Sequence, residues 1–302
     1  MTSIMKTLWN KQQEIDFFTK SLKVATPEQL FYVSEDGRYY AYWPKSYGGE
    51  KETLQSRNAF IGSFTEMWCK DLFEEIAQGM NGYIVEKVVC DEIGLSTKSP
   101  ADLAVCKTRN KIQEAKNILL IIEVKMSVVW NWELKRAGSK QNLACLGDYR
   151  THSGNPGLLR SDTMLKAIGK SINIRVSSYK ASQIPIIVVG NTPITDSYYE
   201  KVDHLKKSGV IQGFWSVNPK PLDNNAETIK NTPHHGFYRF DSLGELKDEA
   251  IRLLKEEREF FSSMQTKKAL GRMIEIANQE NTYEKKAQKF LELIRNSQGE
   301  NP

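Results

Sequence analysis

Apolar positions recur along this chain with two periods, and the switching between them predicts most of its elements. Leu8, Ile15, Phe18 and Leu22 share one helical face, which predicts an N-terminal helix over residues 8–23. Residues 30–50 are aromatic and Gly-rich, and Asp36-Gly37 between two aromatic runs predicts a hairpin. Phe60, Phe64, Trp68, Leu72 and Ile76 repeat at i, i+4 and predict a long helix from about Thr53 to Gly79, with Gly79 as its C-cap. The β-branched stretch 82–94 reads as a strand. Residues 102–106 and 118–125 read as two more, joined by a polar connection that suits solvent.

Residues 128–160 show no clear period and read as loops and short helices. A helix is predicted from Ser161, with Ser161 as N-cap, Asp162 in the first turn and Met164, Leu165, Ile168, Ile172 and Val176 as its apolar stripe. Residues 184–191 form a buried strand, Thr195–Lys207 a helix, and the stretch after Gly209 a further strand ending near 217. Residues 218–238 read as a loop, and Ser242 to about Asn296 as two helices parted near 278–282. The middle of the chain therefore runs helix, strand, strand, strand, helix, strand, helix, strand. Its connections are long enough for crossovers, so the expected class is α/β: a mixed five-stranded sheet flanked by helices, with helical additions at both ends. The expected division is a helical and hairpin extension over 1–54, a core over 55–217, and a loop and helical region over 218–302 packed on that core.

One strand breaks its own pattern. Ile118 to Ile122 are all aliphatic and run into Glu123-Val124-Lys125. A strand buried on both faces has no easy place for an acid and a base, because buried charges must be paired or bind metal. Residues two apart on a strand project to the same face, so Glu123 and Lys125 act together where the strand leaves the core. Sixteen residues before the run, Asp102 leads another short apolar strand, in SPADLAV.

An Asp on one strand followed by Glu-x-Lys on the next resembles the signature of the PD-(D/E)XK nuclease superfamily, in particular its restriction endonuclease branch. The resemblance covers roughly residues 55–217, whose element order matches that superfamily's αβββαβ core. One departure is Ala101, which stands between Pro100 and Asp102 where the pattern has the two adjacent. The resemblance implies Mg²⁺-dependent phosphodiester hydrolysis, with Asp102, Glu123 and the Val124 carbonyl as metal ligands. Lys125 would orient the attacking water and steady the developing charge. Members often add an acid from the preceding helix; Glu66 is the preferred position, with Glu74 and Glu75 behind it. A strand-end ion pair remains the competing reading of Glu123 and Lys125, and a cap or turn role that of Asp102. Asp91 is a rival for the Asp102 position.

Charge adds a second, milder signal. The chain of 302 residues has a net charge of +5 and a pI near 8.8, compatible with a polyanionic partner. Arg160, Lys166, Lys170 and Arg175 are expected around the start and one face of the helix from Ser161, where glycines and helix amides suit phosphates. After the Glu-x-Lys strand, Lys135, Arg136 and Lys140 could hold a DNA backbone while Asn131 and Gln141 read base edges. Trp130 and Trp132 read as core, His234 and His235 as loop residues, and His152 as a weaker groove candidate. Four scattered cysteines, without a CxxC pair, argue against structural zinc and a disulfide framework. No P-loop, GxGxxG or Ser-His-Asp order occurs. No apolar run of signal-peptide or membrane-spanning length occurs either. The expectation is an intracellular protein, cytoplasmic in a prokaryote and without membrane contact. It would cut double-stranded DNA at a specific sequence, as a homodimer or higher homo-oligomer. A structure-selective or repair nuclease, and a non-catalytic DNA-binding protein on a degenerate nuclease fold, are the alternatives.

Overall fold

The first helix starts where its cap sits. The Asn10 side chain accepts the Gln12 N–H at 2.8 Å, and the Gln13 side chain returns to the Asn10 N–H at 2.9 Å, so α1 runs Lys11–Ser21. A single turn, α2 (Pro27–Leu30), leads into the short strands β1 (Tyr32–Val33) and β2 (Tyr39–Tyr40). These form the predicted hairpin, with Gly37 at φ +75°, a conformation that favours glycine. This computed structural model describes residues 7–50, 52–137, 140–224, 226–255 and 267–297, without the side chains of 136, 137, 140, 141, 267 and 297.

The long helix α3 spans Gln55–Gln78, with Gly79 as its C-cap. Its most deeply buried line is Ile61, Thr65, Cys69 and Phe73, one position beyond the predicted stripe. Phe64 and Trp68 are only partly buried, because they face α1 rather than the sheet. There Trp9 meets Trp68 edge-on at 5.2 Å and Phe17 meets Phe64 at 5.5 Å. The helix is thus covered on two sides, which widens its apolar surface beyond one stripe.

The remaining elements follow in order: β3 (Tyr83–Val88), β4 (Ala101–Cys106), β5 (Ile118–Val124), β6 (Asn131–Ala137), β7 (Lys140–Gly147), α4 (Ser161–Ser177), β8 (Ile186–Gly190), α5 (Tyr199–Lys207), β9 (Gly213–Ser216), β10 (Phe237–Arg239), α6 (Leu243–Lys255), α7 (Lys267–Ala277) and α8 (Tyr283–Ser297). The main sheet has the order β10-β9-β8-β5-β4-β3. β3, β4 and β5 pair antiparallel; β5, β8, β9 and β10 pair parallel. The sheet is mixed, as expected, but six-stranded: β10 begins at the end of the stretch read as a loop. Three residues are too few to show a period of two.

The region 128–160 corrects the sequence reading more strongly. It holds the hairpin β6–β7, which joins β1 and β2 in a second, four-stranded antiparallel sheet. Only β6 carries the sign of it, with Trp132 and Leu134 buried and Lys135 exposed between residues facing the other way. The pairing of β2 with β6 crosses the boundary drawn at residue 54, and Trp9, Phe17 and Phe18 share one hydrophobic cluster with β4 and β5. The N-terminal segment is therefore part of the same packed body rather than an extension of it.

Helices cover both faces of the main sheet. Leu103, Val105, Leu120 and Ile122 face α3 and α6, while Ala104, Ile121 and Val188 belong to the clusters that include Met164, Ala167 and Ile174 of α4. The stripe predicted for α4 holds only in part: Met164 is buried and Ile168 packs against the core. Leu165, Ile172 and Val176 are exposed, and Met164, Ala167, Ser171 and Ile174 turn inward. Small residues at 167 and 171 let the helix lie close to the sheet. Arg175, expected to contact DNA, is fully buried and donates to the carbonyls of Val210, Ala181 and Ile184 and to Gln212 Oε1. It ties the end of α4 to the loops around β8. The C-terminal break at 278–282 occurs as predicted, between α7 and α8, and residues 256–266, between α6 and α7, lie outside the described residues. No described helix is long and apolar enough to cross a membrane.

Candidate active site

β5 is the strand at which the main sheet changes from antiparallel to parallel pairing. Its register sets the site. Leu103 lies opposite Ile122, so Asp102 comes beside Glu123, and Glu123 lies next to Val188 of β8. Asp102, Glu123 and Lys125 thereby gather at one end of three neighbouring strands, on the α4 side.

Their contacts are close. Asp102 Oδ2 accepts the Val124 N–H at 2.8 Å. Lys125 Nζ lies 3.3 Å from Asp102 Oδ2, 3.3 Å from Glu123 Oε2 and 3.2 Å from the Val124 carbonyl. The three oxygens that the PD-(D/E)XK resemblance assigns to a metal thus surround one cationic nitrogen. A second lysine, unexpected here, completes the cluster. Lys170 of α4 places Nζ 2.6 Å from Glu123 Oε1, 3.8 Å from Asp102 Oδ1 and 2.6 Å from the Pro100 carbonyl. Sequence reading had put Lys170 on a DNA-facing surface. The close approach of α4 turns it to the carboxylates instead.

Burial and charge divide the two acids. Burial works against the ionised form of Asp102, but Lys125 and Lys170 outweigh it and hold the carboxyl below the usual range. Glu123 is fully buried; burial, then the charge of Asp102, raise its pKa despite both lysines. Lys125 is opposed by burial, yet its two carboxylates keep it charged to higher pH than a free lysine. Glu123 Oε1 is buried and paired with Lys170 Nζ at 2.6 Å.

Among the described residues no group of three or more His, Cys, Asp or Glu side chains is gathered as a metal cage. Mg²⁺ does not need one: it commonly takes one or two carboxylates and fills its shell with water and phosphate oxygens. Asp102, Glu123 and the Val124 carbonyl fit that demand.

The other predicted positions scatter. Glu66 lies on α3, across the sheet from α4, and pairs with Lys87, whose φ of +51° marks the end of β3; no described contact joins it to the cluster. Asp91 is exposed in a short 3₁₀ turn, away from the carboxylates. Asn131 is buried, and its Oδ1 accepts the Tyr42 N–H at 2.9 Å, so it cannot read a base. His152 is also buried, stacked on Tyr42 at 4.0 Å. Its Nε2 donates to the Val129 carbonyl and its Nδ1 accepts from Gly154, while burial lowers its pKa to about 4. It is a neutral structural residue. Lys135, Arg160 and Lys166 are exposed, with Glu133 near Lys135 and Asp162 near the other two. The side chains of Arg136, Lys140 and Gln141 lie outside the described residues.

Lys170→Met provides a stability test of the cluster. Stranding one member of a buried ion pair costs roughly 3 kcal/mol, so the variant should melt several degrees lower without divalent metal. Added Mg²⁺ should then raise its melting temperature more than it raises the wild type's, because the ion replaces the missing charge. Thermal melts with and without Mg²⁺ measure both.

A scan against protein-family models, a search of curated proteins and a search of solved structures each returned no match.

Proposed function

We propose that this chain is a Mg²⁺-dependent DNA endonuclease of the PD-(D/E)XK type, cutting double-stranded DNA at a specific sequence in the manner of a type II restriction enzyme. The observation that carries the reading is the convergence of Asp102, Glu123 and the Val124 carbonyl on the point held by Lys125 Nζ. The order of α3, the β3–β5 meander, α4 and parallel β8 supports it.

Mg²⁺ would supply charge neutralisation at the phosphate and a lowered water pKa. Asp102 and Glu123 would hold it with the Val124 carbonyl. Lys125 would orient the attacking water and steady charge on the phosphate. Lys170 positions Glu123 from the far side. A homodimer would place two such sites across a duplex. The exposed Leu165, Ile172 and Val176 on α4 give that pairing an apolar surface.

The test is incubation with plasmid and phage DNA. Discrete fragments with Mg²⁺, and none with chelator or with Asp102→Ala, are expected. One observation favours a second reading: the two carboxylates are already balanced by two lysines. A non-catalytic DNA-binding protein would retain DNA in a salt-dependent way, cut nothing and bind no Mg²⁺.

A further inference from the structure

A cleft of about 490 Å³ opens beside Lys125. It is lined by the Tyr32 and Tyr42 rings, the start of α3 and the loop that leads into α4. Its wall carries Arg57, which is only 4% exposed. The guanidinium lies 5.2 Å from the Tyr32 ring centre and 4.8 Å from that of Tyr42, and one of its five N–H donors goes to the Ala41 carbonyl. No carboxylate pairs with it among the described residues. Arg175 shows the contrast: that buried arginine has four acceptors around it. A buried charge without a counter-ion is costly, and cation–π contact with two rings offsets only part of that cost.

Two long helices begin at the same cleft. α3 starts after Leu54 and α4 after Arg160, and neither has a side-chain cap. The first-turn N–H groups of each have no intrahelical acceptor, and both positive dipole ends lie at the cleft. Lys125 and Arg160 line it too. Glu52, the one acid among its described lining residues, is exposed, and Asp162 pairs with Arg160. Fixed donors and an uncompensated guanidinium therefore surround one space within reach of the candidate scissile position.

We propose that this cleft is a phosphate-binding subsite, in which Arg57 and the open start of α3 take the backbone phosphate next to the one placed at Lys125. Its place along a DNA strand rests on the nuclease reading above; its affinity for phosphate does not. A guanidinium fork matches phosphate geometry, and contact with two aromatic rings restrains its position.

The experiment uses the full chain without divalent metal and inorganic phosphate as the probe, read by calorimetry and by thermal shift. Arg57→Lys keeps the charge and loses the fork. It should weaken phosphate binding about tenfold or more, as expected for losing charge-assisted hydrogen bonds. Asn58→Asp guards against a folding defect at Arg57. Asn58 is exposed in the first turns of α3, where an acid favours the helix but repels an anion. It should weaken phosphate binding without lowering the melting temperature. Phosphate affinity equal to wild type in both variants overturns the subsite. Arg57-dependent phosphate binding with no DNA cut under Mg²⁺ upholds the subsite and removes the nuclease reading. DNA cutting with phosphate binding unchanged in both variants does the reverse.

Discussion

Lys125→Met is expected to lower DNA cleavage by about 10²–10³-fold, the typical cost of losing one preorganised group that stabilises transition-state charge, and at the same time to tighten Mg²⁺ binding. The second half of that outcome is the diagnostic one. Lys125 Nζ stands within 3.3 Å of the Asp102, Glu123 and Val124 oxygens, so ammonium and metal compete for the same acceptors. Replacing the ammonium by an apolar chain of similar length leaves those oxygens without one of their cations, and a divalent ion gains the difference. Single-turnover cleavage and calorimetric titration with Mg²⁺ measure the two effects separately. A strand-end ion pair with no catalytic role predicts the opposite combination: lower stability and no metal uptake in either protein. Unchanged cutting would remove Lys125 from the chemistry altogether.

What made this cluster legible in the sequence was contrast. An acid and a base at the end of five consecutive aliphatic residues violate the pattern around them, and strand periodicity alone puts Glu123 and Lys125 on one face. Asp102 was legible for the same reason, because it interrupts a short apolar strand. Lys170 and Arg57 lacked that contrast. Each is a cation on a helix surface, and its role depends on how near that helix lies to its neighbours. Ala167 and Ser171 bring α4 close to the sheet and turn Lys170 to Glu123, a distance that no local pattern encodes. Glu66 shows the same dependence: its helix was legible, but its partner is Lys87 of β3, because the side of the sheet that α3 covers is a property of topology. The hairpin β6–β7 escaped because its alternation is weak: its strands pair mainly with each other, over seven positions, and β6 joins β2 over two.

The same long-range dependence explains a residue that gave no signal at all. Glu14 looked like an ordinary polar position on α1, yet it is fully buried. Its carboxylate accepts the N–H groups of Val129 at 2.6 Å and Trp130 at 3.2 Å, and the indole N–H groups of Trp132 at 2.8 Å and Trp9 at 3.3 Å. One side chain thus fastens the N-terminal helix to the segment between β5 and the hairpin β6–β7. At acid pH, Glu14→Ala should cost roughly 4 kcal/mol or more, since it strands several buried donors and opens a cavity. That corresponds to a fall of about 10 °C in melting temperature. The loss should depend on pH. Burial raises the Glu14 carboxyl from 4.5 to about 7, against the four donors, which favour the ionised form. Between those values the folded protein holds a proton that the unfolded chain releases, so wild-type stability falls as pH rises through the window. The shift amounts to roughly 3 kcal/mol, and alanine removes it. The gap between wild type and Glu14→Ala should therefore be widest near pH 4.5 and narrow by pH 8. A gap that widens toward alkaline pH would show that the four donors keep Glu14 ionised in the folded protein, and no destabilisation at pH 5 would show that Glu14 does not hold the strand-end segment in place.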